Sequence, residues 1–286
     1  MRARGRFASC MATAVIALAG LVTISALPAS GANSSTIAYV ALGDSYAAGW
    51  GAGAADPEDP CQRSAQGYPT LLDDAQKRIQ LEVNAACKGA KTANVINTQL
   101  SALNSDTRLV TLTVGGNDLN VADVAATCTT PGVTADQCIT EIQNAVTPAK
   151  LQALDDALTD LYAKVAARAP DARIVVTGYP YLADPAPGSP NAAIITALNA
   201  ATDQLNAITK QAVTVAQNAD VNIRYVDVTA EFAGHGIFSP NRFINRPGTE
   251  AAFHPNALGY SVYATAIADA LPRGWVDKSS RTVASS

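Results

Sequence analysis

Hydrophobic and polar positions along the chain switch between two periods. Short β-branched runs of strand length occur at Ile37–Leu42, Leu81–Ala85, Leu109–Val114, Arg173–Thr177 and Asn222–Val228. Between them, apolar residues recur at helical spacing. Tyr68–Arg78 puts Leu71, Leu72 and Ala75 on one face, and Ala93–Leu103 follows the second strand. Ala149–Arg168 is closed by Pro170, and Ala192–Asn218 and Asn256–Leu271 complete the set. Strands alternating with long helices predict an α/β fold: a central parallel sheet, mostly five-stranded, in a three-layer α/β/α sandwich. Residues 120–147 are Thr-rich and read as an insertion, while 49–60, 179–190 and 230–252 are Gly/Pro-punctuated loops. In such a sheet ligands sit outside the carboxyl ends of the strands. The first strand stops there at Gly43-Asp44-Ser45, and the third at Gly115-Gly116-Asn117-Asp118.

The ends of the chain and its charge narrow the setting. Residues 1–32 read as a secretory signal: Arg2, Arg4 and Arg6, an apolar segment from Met11 to Leu27, then small residues from Ala29 to Ala32. Residues 33–272 form the predicted domain and 273–286 a polar tail. The whole chain has a formal charge of −4 from 20 basic and 24 acidic residues; removing the three leader arginines leaves 17 basic residues, or −7. An acidic exported chain without a Lys/Arg run is a poor nucleic-acid binder, and no mature segment is apolar enough to span a bilayer. Cys61, Cys87, Cys128 and Cys138 remain after the leader, an even number suited to disulfides in an oxidising compartment. Three pairings are open; the sequential one, Cys61–Cys87 with Cys128–Cys138, is preferred. No Cys-x-x-Cys occurs and there are two histidines, so no zinc site or other metal centre is expected.

Four positions carry candidate chemistry. Ser45 offers a hydroxyl at a strand end, although most such serines only cap helices. Gly89 lacks a Cβ and can bring its backbone N–H close to a ligand. Asn117 has a side-chain amide donor, and His254, in Phe253-His254-Pro255-Asn256, is a candidate base. Acyl transfer needs this set: an oxygen nucleophile, a base within reach, and donors aimed at the developing oxyanion. His235, between Gly234 and Gly236, reads as a bystander. There is no Gly-x-Ser-x-Gly elbow and no P-loop.

Gly43-Asp44-Ser45, the glycine closing Asn84–Gly89, Gly115-Gly116-Asn117-Asp118 and His254-Pro255 stand in the order of the SGNH, or GDSL, hydrolase blocks. The chain resembles that family over nearly all of its mature length, and is most similar to secreted actinomycete-type lipases and esterases. The resemblance implies a flavodoxin-like sandwich with Ser45 as nucleophile and His254 as base. It implies an oxyanion hole of Ser45 N–H, Gly89 N–H and Asn117. Many members carry an aspartate three residues before the histidine, where this chain has Ala251. By comparison with the resembling lipases, the Ala252 carbonyl then orients the ring, giving a Ser–His dyad. Glu250 is the competing third member. The usual third disulfide of these relatives has no cysteines here. The expected activity is hydrolysis of carboxylic esters, lipid esters first, by a secreted monomer without metal or cofactor. Trp50, Tyr68, Tyr179, Tyr181, Phe232 and Phe253 are candidates to line an acyl groove. The alternatives are an acetyl esterase on acetylated carbohydrate and a non-catalytic exported binding protein on the same scaffold.

Overall fold

Five parallel strands build the sheet: β1 (Ile37–Gly43), β2 (Ile79–Asn84), β3 (Leu109–Thr113), β4 (Arg173–Thr177) and β5 (Ile223–Val226). Their order is β2-β1-β3-β4-β5, with all four pairings parallel. The computed structural model describes residues 36–53, 55, 57–186 and 188–276; the expected leader and the tail beyond 276 lie outside the described residues. β3 is buried at every position, and β1 and β4 at all but one. Such strands carry near-continuous apolar runs because helices cover both faces. Helix α2 (Tyr68–Ala75) packs on α8 (Ala257–Ala270) over one face. The helical stretch 92–102, α6 (Pro148–Arg168) and α7 (Ala192–Asn218) cover the other.

The strand order reverses direction between β1 and β3, which makes the crevice above their carboxyl ends the natural ligand position. Both strands need support there, since the sheet ends just below the site. Buried hydroxyls supply it. Thr113 Oγ1 bonds Tyr68 OH at 3.0 Å and Thr177 Oγ1 at 2.6 Å, while Tyr39 OH bonds Thr111 Oγ1 at 2.6 Å. Paired in this way, polar groups can stay in the core without the cost of an unmet hydrogen bond.

Several boundaries differ from the sequence pattern. The helix expected to run to Arg78 stops at Ala75, and the strand expected from Leu81 begins at Ile79. Ala75 is exposed, so the apolar face has already run out at Leu72, which is fully buried. Ile79 is buried opposite Ile37, and Asp73 Oδ1 takes the Leu81 N–H at 2.9 Å. The stretch expected as one helix from Ala93 is a single α-turn, α3 (Thr92–Asn94). It widens to π geometry over Val95–Gln99 and tightens to 3₁₀ over Leu100–Ala102. The insertion 120–147 holds two short helices, α4 (Val121–Thr129) and α5 (Ala135–Ala145), joined by the Cys128–Cys138 disulfide.

Candidate active site

Gly43 begins the turn that presents Ser45. Its φ is +130°, and a Cβ there would lie 2.1 Å from the Thr113 carbonyl oxygen, so only glycine fits. The buried Gln99 amide holds the same residue from the other side. Its Oε1 accepts from Gly43 N at 2.7 Å, and its Nε2 donates to Gly43 O at 2.9 Å. Widening the preceding turn to π geometry carries Gln99 to that position, as π-bulges often do near functional groups. Asp44 Oδ1 then accepts from Tyr46 N at 2.9 Å, capping the one-turn helix α1 (Ser45–Ala48). The Ser45 N–H belongs to the first turn and has no intrahelical acceptor. Ser45 itself is 6% exposed.

His254 arrives on a loop rather than a strand. Ile244 and Pro255 form an isolated antiparallel bridge, and Asn245 Nδ2 donates to Gly51 O at 3.0 Å. Phe253 takes φ +67°, turning the next side chain toward Ser45. Tyr46 OH donates to Phe253 O at 2.8 Å and so ties the histidine loop directly to α1. The outcome is Ser45 Oγ 2.8 Å from His254 Nε2, with His254 Nδ1 3.0 Å from Ala252 O. A carbonyl only accepts, so Nδ1 carries the proton and Nε2 is left as the acceptor for the serine hydroxyl. Burial pushes the His254 pKa down to about 4; the Ala252 carbonyl pulls it up, and the Lys88 charge pushes it further down. Glu250 is exposed, and the Nδ1 partner is the carbonyl.

Gly89 and Asn117 belong to two loops stitched together. Asn117 Nδ2 donates to Ala90 O at 3.0 Å, which uses one of its two amide hydrogens and leaves the other for a ligand. Asp118 accepts from Thr92 N at 3.1 Å and Thr92 Oγ1 at 2.7 Å. The Cys61–Cys87 disulfide anchors the approach to Gly89, whose φ is +79°. Lys88, which lines the cavity beside Gly89, stands 3.8 Å over the Trp50 ring in a cation–π contact.

One buried phenol joins the serine turn to the asparagine loop. Tyr179 OH donates to Asp44 Oδ2 at 2.5 Å and accepts from Gly116 N at 3.1 Å. Asn206 fixes the Tyr179 backbone, accepting from its N–H at 2.9 Å and donating to its carbonyl at 2.8 Å. Burial raises the Asp44 pKa to about 7, against the pull of the Tyr179 hydroxyl and the Tyr46 N–H. Tyr179 follows β4 with no distinctive pattern around it, so its role has no sequence signal. Gln99 is equally silent in the sequence.

A cavity of about 470 Å³ opens beside these groups, lined by Ser45, Gly89, Asn117 and His254 at one part and by α4, α5 and α7 at another. Of the six aromatic residues expected to line a groove, only Tyr179 and Phe253 do so. Trp50, Tyr68 and Phe232 are buried elsewhere, and Tyr181 OH bonds Asp203. Aliphatic side chains such as Val124, Ile142 and Leu198 take the walls instead. His235 stacks on Phe243 at 3.8 Å, and its Nδ1 lies 2.7 Å from Asn241 O, away from the site residues. Among the described residues no group of three or more His, Cys, Asp or Glu is placed to hold a metal ion. None of the described helices is long and apolar enough to cross a membrane.

The family model of GDSL-like lipases/acylhydrolases matches residues 41–262. A lipase from Streptomyces rimosus is 36% identical over 229 residues, spanning 78% of this chain and 82% of that protein. The crystal structure of an extracellular lipase from Streptomyces rimosus superposes with a TM-score of 0.73 at 34% identity, covering 82% of this chain and 100% of the other. That of phospholipase A1 from Streptomyces albidoflavus NA297 gives 0.72 at 34% identity, covering 82% and 99%.

Proposed function

Because the chain belongs to the GDSL-like lipase/acylhydrolase family and is a carboxylic ester hydrolase, we propose that it is exported and cleaves lipid acyl esters through a Ser45–His254 dyad. The contact that carries this reading is Ser45 Oγ to His254 Nε2 at 2.8 Å, with the ring's other nitrogen satisfied by a carbonyl. His254 Nε2 takes the serine proton as Oγ attacks the ester carbonyl. The tetrahedral oxyanion is met by Ser45 N–H, Gly89 N–H and the free hydrogen of Asn117 Nδ2. Donors of this kind are each worth about 3–4 kcal/mol in the transition state. Collapse breaks the ester C–O bond, and the alcohol leaves with the proton from His254. Water then attacks the acyl-enzyme, giving its proton to His254, and the carboxylic acid departs as Ser45 regains its hydrogen.

No carboxylate is assigned to the dyad. A carbonyl holds tautomer and orientation, although it stabilises the imidazolium less than a carboxylate does. Export is supported by the basic-then-apolar leader and by the extracellular lipase among the similar structures. The lipid preference is supported by the apolar walls of the cavity and by the lipase and phospholipase among the similar proteins. Ser45→Ala is expected to abolish both ester turnover and organophosphonate labelling while leaving the thermal midpoint near the parent value. Retained turnover overturns the assignment of Ser45. In parallel, Glu250→Gln is expected to keep a near-parental kcat; a collapse would make Glu250 the third member of a triad.

A further inference from the structure

The cavity lies on a seam between two hydrophobic cores. Leu119, Tyr179 and Leu205 on one side belong to the main core that contains the sheet. Val124, Ile142 and Ala145 on the other side belong to a separate cluster, which packs on Leu198 and Ala201 of α7. Protein interiors are packed to crystal-like density, and an unfilled apolar space costs stability in proportion to its volume. The part of this cavity of about 470 Å³ that runs along the seam, continuous with the part beside Ser45 and His254, therefore needs something to hold it open. The α4–α5 pair has the means. Helices of 9 and 11 residues are marginal alone. These two are fastened together by Cys128–Cys138, α5 packs on α7, and Cys128 itself lines the space.

Polarity divides the same cavity. Along α4, α5 and α7 its only polar lining residues are Thr129 and Thr202, whereas Lys88 and Glu250 line it on the segments that carry Gly89 and His254. The two halves of an ester differ in the same sense. The alcohol leaves on the side of the base that protonates it, and the acyl chain needs an apolar enclosure.

We propose that the space roofed by α4 and α5 is the acyl-chain site, and that this disulfide-fastened pair sets the length of chain the enzyme prefers. The proposal rests on the hydrolase reading above and adds to it the address of the acyl group. Ala201, on the α7 wall, is the residue through which it is tested.

The experiment compares kcat/KM for p-nitrophenyl acetate and p-nitrophenyl dodecanoate, taken as a ratio, in the parent and in Ala201→Phe. The parent is expected to favour the dodecanoate. A phenyl ring placed in the chamber is expected to lower the dodecanoate-to-acetate ratio by about tenfold or more, since single methylene groups in apolar pockets already discriminate by that much. A ratio unmoved by Ala201→Phe overturns the proposal, as does a parent enzyme that favours the acetate. Should Ala201→Phe fail to fold, the double substitution Cys128→Ser with Cys138→Ser decides. Loss of the fastening is expected to flatten the ratio, and a ratio at the parental level overturns the proposal. A parent that turns over neither ester strikes instead at the hydrolase reading, which keeps the two failures apart.

Discussion

At the scale of single residues, the site depends on groups that fix one another's protonation and direction. His254 is the clearest case. In the proposed dyad it must be neutral to accept the serine proton, and burial lowers its pKa to about 4 from the ordinary 6.5. Activity in the free enzyme rises with pH as this base loses its proton. The acid limb of kcat/KM is therefore expected to have its midpoint near 4 in a pH–rate profile, and a midpoint at the ordinary histidine value would contradict the buried geometry. Lys88→Met removes a repelling cation and is expected to move that midpoint upward, by a modest amount because an exposed charge is screened. Tyr179 acts through its neighbours rather than on the ester. Tyr179→Phe keeps the ring in the cavity wall but leaves Gly116 N–H and the Asp44 carboxylate without the phenol. We expect KM to hold and kcat to fall about tenfold, less than the loss of a direct oxyanion donor. In the Asn117→Ala background the same substitution is expected to add little, because interacting sites are non-additive. Equal loss in both backgrounds would mean that the phenol works by another route. The sequence blocks name Ser45, Gly89, Asn117 and His254, and aromatic character names Tyr179 as a groove residue, but nothing in the sequence marks Tyr179 as the bridge between Asp44 and Gly116, or marks Gln99 at all. Nothing local marks a tyrosine or a glutamine whose partners lie 135 and 56 residues away.

At the scale of elements, legibility follows the strength of the period. The Arg173–Thr177 strand and the Ala192–Asn218 helix have the limits their patterns predict, because the first is a continuous buried run and the second has seven turns in which to establish a face. Between α2 and β2 the pattern is weak: the apolar face of the helix runs out at Leu72, residues 76–78 join neither element, and burial of Ile79 starts the strand two residues before Leu81. The aliphatic side of the cavity is not legible in the sequence. Its walls come from α4, α5 and α7, whose alanines and valines look like ordinary helix residues until the fold brings them together. The start of α8 shows how an element serves the site. Asn256 Oδ1 accepts from Gly259 N at 3.1 Å, and its Nδ2 donates to Arg242 O at 2.8 Å, so one side chain caps the helix and holds the loop carrying His254. Asn256→Ala is expected to cost about 1–2 kcal/mol in urea unfolding. A larger fall in kcat than in substrate affinity should accompany it, because His254 sits two residues upstream. Loss of stability with no kinetic effect would reduce Asn256 to a cap alone.

Over the whole molecule, burial is unevenly distributed, and that unevenness bears on how the proposed acyl chain would enter. Among the described residues the ion pairs Arg108–Asp171 and Lys164–Asp160 are exposed at both ends and contribute little, whereas Arg63 forks onto the partly buried Asp59 at 2.7 and 2.9 Å and so fastens a loop rather than the core. Burial carries the fold, and the main core takes in the sheet with α6, α8 and most of α7. The second cluster has four buried members, Val124, Cys138, Ile142 and Ala145. With so small a core, α4 and α5 are expected to open at lower free energy than the sheet does, as binding regions commonly do. Amide hydrogen exchange should show it: peptides from 121–145 are expected to exchange faster than those covering β1, β3 and β4 at the same pH. Filling the chamber must then change the comparison. A dodecyl phosphonate bound covalently to Ser45 would add apolar contacts to the α4–α5 roof and stabilise its closed form, whereas a methyl phosphonate on the same oxygen would not reach it. Exchange in 121–145 is expected to slow with the first adduct and stay at the free-enzyme rate with the second. Equal protection by both would mean that the roof responds to acylation of the serine rather than to the length of the chain beneath it.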